Sequence, residues 1–115
     1  MEGLKLLPST DERGRLRVAL VGEFDLAGVE GFREVVTRAI DSGKHREIEF
    51  DLERLTFIDS SGLHALAEAE RSMRARGATV NVVGVAPQLR KVFELIGLDR
   101  VLTIATASRS VWAAA

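Results

Sequence analysis

Strand-like and helix-like patterns alternate along this 115-residue chain after an opening pair of strands. The apolar, strand-like segments are, in order, "GLKLL", "RLRVALVG", "EIEFDL" joined with "TFI", "TVNVVGV" and "VLTIAT". The first two are separated by "PSTDERG", which is rich in turn-forming residues and predicts an antiparallel pair with the first strand at an edge. The later alternation requires crossovers between strands and favours a largely parallel sheet with helices packed against it.

Three helices are predicted between these strands. The first begins near Ala27 and ends at Gly43, with apolar residues at helical spacing: Val29, Phe32, Val36 and Ile40. The second runs from about Ser61 to Arg76 before Gly77, and the third begins at Pro87 and stops at Gly97. Its apolar face would carry Leu89, Val92, Phe93 and Ile96. The last nine residues, "ASRSVWAAA", predict a short terminal helix that contains Trp112.

We therefore predict an α/β fold with a mixed, largely parallel sheet of about four or five strands and about four helices. No repeat, low-complexity tract or linker divides the sequence, so one domain is expected over residues 1–115. The hydrophobic share of 46% supplies a core for a domain of this size.

Charge and composition exclude several classes of function. With 16 basic and 17 acidic residues, the chain lacks the positive field of a charge-driven nucleic-acid or membrane binder. It contains no cysteine, and no apolar run approaches the roughly 20 residues that span a bilayer. A cytoplasmic protein without direct nucleic-acid or membrane contacts is expected, and no metal or cofactor site is predicted.

A small polar cluster, Asp59-Ser60-Ser61-Gly62, follows the apolar "TFI" where a strand should turn into a helix. In one interpretation Asp59 or Ser60 caps the helix, and Gly62 allows close packing. In the other, one hydroxyl receives a phosphoryl group, whose charge of roughly −1.5 to −2 is held by the free N–H groups of the helix N-terminus. The residues alone favour the cap.

Two neighbouring features could extend this cluster into a binding surface. Asp25, in the loop "GEFDLAG", either caps the first helix or belongs to the surface, because the carboxyl ends of parallel strands meet at one edge. On the second helix His64, Glu68 and Arg71 are predicted to face outward, as is Arg74. The buried side would carry Leu63, Leu66 and Met73. The outward side is either a solvated face or a docking face.

The segment "FIDSSGL", with "VGEFD" upstream and this order of elements, resembles the STAS-domain family, in particular its free-standing bacterial anti-sigma-factor antagonists. The resemblance covers about Leu4 to Ala107. It implies that Ser60 is phosphorylated by a partner that is both an anti-sigma factor and a serine kinase. Only the unphosphorylated form would then bind the partner, and a phosphatase would reset Ser60.

Site residues also follow from the resemblance. Asp59 is implied as the acidic neighbour needed for recognition, and Gly62 as the residue that keeps the junction compact. The predicted partner surface comprises Asp25, Asp59, Ser61, Gly62, His64, Glu68 and Arg71. The family usually has a small residue where this chain has His64, which suggests a role in partner choice.

Two alternatives remain open to test. An enzyme would use Ser60 as nucleophile and His64 as base, but G-x-S-x-G is absent and no acid is placed to orient the histidine. A catalytic role is therefore not expected. The second alternative is a STAS protein that is never phosphorylated and serves as a scaffold subunit of a transport or lipid-trafficking complex.

Overall fold

A computed structural model describes residues 3–95 of the chain. In order, the elements are β1 (Leu4–Thr10), β2 (Leu16–Phe24), α1 (Leu26–Ser42), β3 (Glu47–Asp51), β4 (Leu55–Ile58), α2 (Ser60–Ala75), β5 (Thr79–Val83) and α3 (Pro87–Leu95). The predicted last strand, the terminal helix with Trp112, and the stop at Gly97 lie outside the described residues. The α/β architecture and its mixed sheet are confirmed.

The five strands form one sheet in which β2 is central. It pairs antiparallel with β1 on one side, as predicted. On its other side it pairs parallel first with β3 and then with β4, and β3 in turn pairs parallel with β5. The carboxyl ends of β2 and β4 therefore lie side by side, each leading directly into a helix.

The segment predicted as one strand with an apolar continuation is in fact two strands, β3 and β4. The break is a turn in which the Glu53 N–H donates to Asp51 Oδ1, at 2.9 Å, and the Leu55 N–H donates to the Leu52 carbonyl. Just after the break, where β2 begins to pair with β4, β2 changes register between Gly22 and Glu23. Gly22 has φ of 100° and lies so close to the Gly3 carbonyl that a Cβ would stand 2.4 Å from its oxygen. Only glycine fits there without distortion.

The opening hairpin is longer than the sequence predicted. Pro8 to Thr10, which were assigned to the turn, pair with Val18 to Leu16 as part of β1. Proline is tolerated because β1 is an edge strand, where a missing N–H breaks no ladder on its outer side. The turn itself is centred on Asp11, whose carboxylate accepts the backbone N–H groups of Arg13 and Arg15.

The core lies between one face of the sheet and the two helices α1 and α2. Three phenylalanines connect β2, α1 and β3: Phe32 lies 5.0 Å from Phe24 and 5.5 Å from Phe50, measured between ring centroids. Leu63, Leu66 and Met73 are buried as predicted, which orients α2 against this core.

Burial differs from the sequence pattern in two places. The acidic residue Glu49, which alternates with the apolar residues of β3, is fully buried and accepts a hydrogen bond from Arg17 Nε at 2.6 Å, on the neighbouring strand β2. On α3 only Phe93 is fully buried and Leu89 is partly buried, whereas Val92 is exposed. The strand alternation and the helical period identify a face but not which residues on it are covered by neighbours.

Candidate functional site

The predicted site lies where β2 and β4 end together. Phe24 and Ile58 are paired in the parallel ladder, and the Asp59 N–H donates to the Phe24 carbonyl at 3.1 Å. The next residues, Asp25 and Asp59, stand at the starts of α1 and α2. The structure thus brings together the two loops that the sequence placed at one edge of the sheet.

Asp59 is the N-cap of α2. Its backbone is extended, with φ of −103° and ψ of −173°, and its Oδ1 accepts the Gly62 N–H at 3.1 Å. Its carbonyl accepts the Leu63 N–H at 3.0 Å, which leaves the Ser60 and Ser61 N–H groups without hydrogen-bond partners in the described part of the chain. Free N–H groups at a helix start attract an anion.

The two serines differ in accessibility. Ser60 is the first residue of α2 and is exposed, whereas Ser61 is half-buried. A hydroxyl at Ser60 is therefore the one that an approaching protein meets first, and it lies within the turn that carries the free N–H groups.

Gly62 brings the helix start close to the sheet. A Cβ at this position would stand 2.7 Å from the Phe24 carbonyl oxygen and 2.7 Å from Ile58 Cγ1. Contacts this short do not occur between real Cβ atoms and backbone oxygens, so α2 could not keep its position with a larger residue. Gly62 therefore allows the start of α2, and with it Ser60, to lie close to the ends of β2 and β4.

Asp25 is the N-cap of α1 and accepts the Ala27 N–H at 3.1 Å. Its carboxylate thus performs the capping role that the sequence left open beside a binding role. Two capped helix N-termini now stand at adjacent strand ends, and both direct partial positive charge toward the surface around Ser60.

The outward face of α2 carries three of the predicted site residues. His64, Glu68 and Arg71 are all exposed. Glu68 Oε1 accepts a hydrogen bond from Arg33 Nε of α1 at 3.0 Å, so this carboxylate also links the two helices. Arg74, one turn later, pairs with Glu70 and donates to the Val80 carbonyl at 3.1 Å. It is thus bound to the domain, unlike Arg71, for which residues 3–95 provide no ion pair.

Among residues 3–95, no basic side chain is hydrogen-bonded to Ser60. Within residues 3–95, His64 makes no hydrogen bond to Ser60, and no group of three potential metal ligands comes together. In the same part of the chain, no helix combines the length and the apolar character needed to cross a bilayer.

Sequence reasoning missed two exposed apolar residues near the ends of the elements that form the site. Leu26, the first residue of α1, is 72% exposed, and Phe57, next to the end of β4, is 50% exposed. Leu26 continues the helical period of Val29, Phe32 and Val36, and Phe57 lies inside an apolar run, so both patterns pointed to burial. Nothing in the local sequence marks them as exposed.

Comparison with known proteins gives concordant matches. Residues 9–104 match the family described as "Mlab, STAS domain". The anti-sigma F factor antagonist of Lysinibacillus sphaericus is 32% identical over 94 residues, which are 82% of this chain and 80% of that protein.

Two similar solved structures are of SpoIIAA. Its unphosphorylated form, an anti-sigma factor antagonist, superposes with a TM-score of 0.72 at 27% identity, over 90% of this chain and 89% of that one. The phosphorylated form, from Bacillus, superposes with a TM-score of 0.73 at 28% identity, over 96% of this chain and all of that one. The matched family, the identity to the antagonist and the shared fold agree, and the chain belongs to the STAS-domain family.

Proposed function

We propose that this protein is an anti-sigma-factor antagonist controlled by phosphorylation of Ser60. Unmodified, it binds an anti-sigma factor that is also a serine kinase; phosphorylated, it is released, and a phosphatase restores it. The observation that carries the proposal is the exposed Ser60 hydroxyl on the first residue of α2, directly after the capping Asp59 and beside a second helix N-terminus.

The relatives support this direction. The Lysinibacillus protein is named as an antagonist, and SpoIIAA has been solved with and without its phosphate. A fold that is shared with both forms is compatible with a modification that leaves the domain folded.

The choice of Ser60 over Ser61 rests on exposure. A kinase must bring the hydroxyl into its own active site, and Ser61 is partly covered whereas Ser60 is open. The free Ser60 and Ser61 N–H groups then stabilise the phosphate by about 0.3–1 kcal/mol through the helix dipole. Phosphorylation is therefore expected to leave the fold intact.

Release follows from charge at the interface. A phosphate adds roughly −1.5 to −2 charges to a surface that already carries Asp25 and Asp59. Burying it against a partner without a matching cation costs several kcal/mol, which corresponds to a loss in affinity of about a hundredfold or more. The negative charge thus acts on binding rather than on stability.

The remaining site residues divide into two roles. Asp25, Asp59 and Gly62 hold the two helix starts in place, so they act on the partner through the position of Ser60. The partner would contact the surface beside Ser61 and the exposed side chains of α2: His64, Glu68 and Arg71. We assign no catalytic role to the protein, because the similar curated proteins are named as anti-sigma factor antagonists. The setting is the cytoplasm, where the kinase finds ATP.

The test is phosphorylation with purified components. The chain is incubated with ATP and each anti-sigma-type serine kinase encoded by the source genome, and intact mass and phosphopeptide mapping are recorded. We expect one phosphate, on Ser60, that is lost in Ser60→Ala and retained in the control Ser61→Ala. Ser60→Asp should bind the kinase at least about a hundredfold more weakly than wild type.

Two results would contradict the proposal. A phosphate mapped to Ser61 would move the switch by one residue. A protein that is not phosphorylated and binds none of these kinases would favour the scaffold role, with Ser60 as an ordinary first-turn residue of the helix.

A further inference from the structure

The strand that leads to Ser60 contains one residue more than the part of β2 beside it. In the parallel ladder Gly22 pairs with Leu55 and Glu23 pairs with Phe57, so β2 advances by one residue while β4 advances by two. Thr56 is the extra residue and forms a β-bulge. Its hydroxyl donates to the Gly22 carbonyl at 3.0 Å, at the point where the register changes.

Gly22, on the β2 side of the bulge, is bound on both sides of Leu55. Its N–H donates to the Arg54 carbonyl at 3.1 Å, and its carbonyl accepts the Thr56 hydroxyl. Its φ of 100° is a conformation that glycine adopts readily. A side chain thus supports the pairing of β2 with β4 where the regular ladder is interrupted.

The bulge changes which side chains of β4 face the helices. Leu55 is buried and Ile58, three residues later, packs against the core, whereas the intervening Phe57 is 50% exposed. Regular alternation would bury Leu55 and Phe57 and expose Ile58. The extra residue therefore turns Ile58 inward, where it lies close to Gly62 at the start of α2.

The same shift of one residue determines which residue of the polar cluster is exposed. In the observed ladder Phe24 pairs with Ile58. Asp59 is then the N-cap, and Ser60 is the exposed first residue of α2. Without the bulge, each place would be held by the preceding residue of the chain. Asp59 would then take the exposed place, and Ser60 the half-buried place that Ser61 now holds.

We propose that Thr56 is a positioning residue for phosphorylation, because its hydroxyl holds β4 in the register that exposes Ser60. The inference rests on the proposed function. The apolar pattern alone does not choose the register, since Phe57 and Ile58 are both apolar and either can pack under α2. A single hydrogen bond changes an equilibrium by roughly two- to tenfold, which decides between registers that bury similar side chains.

The test measures phosphorylation of the full chain by the purified kinase. Thr56→Val keeps the shape of the side chain and removes the donor, so less of the protein is in the competent register. KM should rise about three- to tenfold, with kcat unchanged. Thr56→Ser, which keeps the hydroxyl, should stay within about twofold of wild type. A role in overall stability alone would not raise KM while the protein is folded, and thermal melting of each variant checks this.

Phe57→Ser supplies the decisive second change. Phe57 would be buried in the slipped register, so its replacement disfavours that register and spares the observed one, in which the side chain is exposed. The double variant of Thr56→Val with Phe57→Ser should therefore regain the KM of wild type to within about twofold. Thr10→Val is the matched control. Thr10 is an exposed strand residue level with Leu16, about 20 Å along β2 from Gly22, and its replacement should leave KM unchanged.

The outcomes are separable, because methyl NMR of Ile58 reports the register without a kinase. Its signal should move in Thr56→Val and return in the double variant. If wild type and Thr56→Val are phosphorylated with the same KM, or if the double variant is not rescued, the role of Thr56 is wrong and the proposed function stands. If the Ile58 signal responds as expected but no kinase phosphorylates wild type, the register assignment stands and the proposed function fails.

Discussion

The junctions at the ends of β2 and β4 follow the same pattern, an aspartate followed three residues later by a glycine. Asp25-Leu26-Ala27-Gly28 opens α1, and Asp59-Ser60-Ser61-Gly62 opens α2. Both aspartates are extended N-caps with nearly the same ψ, −170° and −173°. Both junctions thus use the same cap, and the first forms without any hydroxyl between the aspartate and the glycine.

The difference between the junctions lies in the two middle residues and in the fit of the glycine. At α1 the Gly28 N–H donates to the Asp25 carbonyl, and the aspartate side chain caps Ala27. At α2 the side chain caps the glycine itself. The first junction shows that capping alone does not account for Ser60 and Ser61. The two serines are therefore residues for which the helix start itself gives no reason.

The largest expected effect is a loss of stability when Gly62 is replaced, and the matching substitution at Gly28 is the comparison. Gly62→Ala should lower the free energy of unfolding by about 3 kcal/mol, because its Cβ would meet a backbone oxygen at 2.7 Å. Gly28→Ala should stay within about 1 kcal/mol of wild type, since its nearest neighbour is the Leu4 side chain at 3.1 Å and alanine favours the helix. Urea denaturation measures both. Equal losses would mean that the two junctions are equally tight.

Removing either N-cap aspartate should destabilise the protein less than Gly62→Ala does, and the loss should be the same at both helices. Asp25→Ala and Asp59→Ala are each expected to destabilise the protein by about 1 kcal/mol, because each leaves one helix N–H without its acceptor. Asp25→Asn and Asp59→Asn, which keep a capping oxygen, should recover most of the loss. A cost at Asp59 more than twice that at Asp25 would show that its carboxylate does more than cap α2.

Charge reversal on the two helices should separate binding from stability. Arg71→Glu, on the exposed side of α2, should weaken kinase binding while changing the free energy of unfolding by less than about 0.5 kcal/mol. Arg38→Glu, an exposed residue of α1, is the control and should leave binding unchanged. Glu68→Lys should also weaken binding, and losing its exposed pair with Arg33 should cost under about 1 kcal/mol. If Arg71→Glu and Arg38→Glu weaken binding equally, the effect is not specific to α2, and the assignment of the docking face to α2 is wrong.

The smallest expected effect is a pH dependence of stability that arises from Asp11. This aspartate accepts backbone N–H groups in a turn, whereas Asp25 and Asp59 accept them at helix starts. Desolvation alone would raise the pKa of Asp11, but the hydrogen bonds and charge of Arg15, with the Arg13 N–H, lower it below 3.8. A depressed folded-state pKa stabilises the protein above the unfolded value, and this contribution is lost as pH falls through the folded value. Carboxyl NMR titration should give a pKa below 3.8, and Asp11→Asn should abolish this pH dependence without altering Ser60 phosphorylation. An unshifted titration would show that the turn does not hold the carboxylate in solution.

Much of the fold could be predicted because its signals are local. The helical spacing of apolar residues and the glycine stops placed α1 and α2 to within a residue or two. The polar cluster before α2 placed the candidate site at a strand end. The same local reasoning failed at Pro8, since a strand can continue through proline only at an edge, and the pairing that defines the edge is not local.

The sequence by itself determined the opening hairpin, the alternation of strands and helices after it, the buried side of α2 and the position of Ser60 at a helix start, because each depends on neighbours along the chain. Only the tertiary structure decided that β3 and β4 share the flank of β2, that Glu49 is buried beside Arg17, and that Leu26 and Phe57 stay exposed. Burial is a property of what packs above a residue. The residues that pack there come from segments distant in sequence, so the local periodicity of a strand or helix does not predict which of its residues are buried.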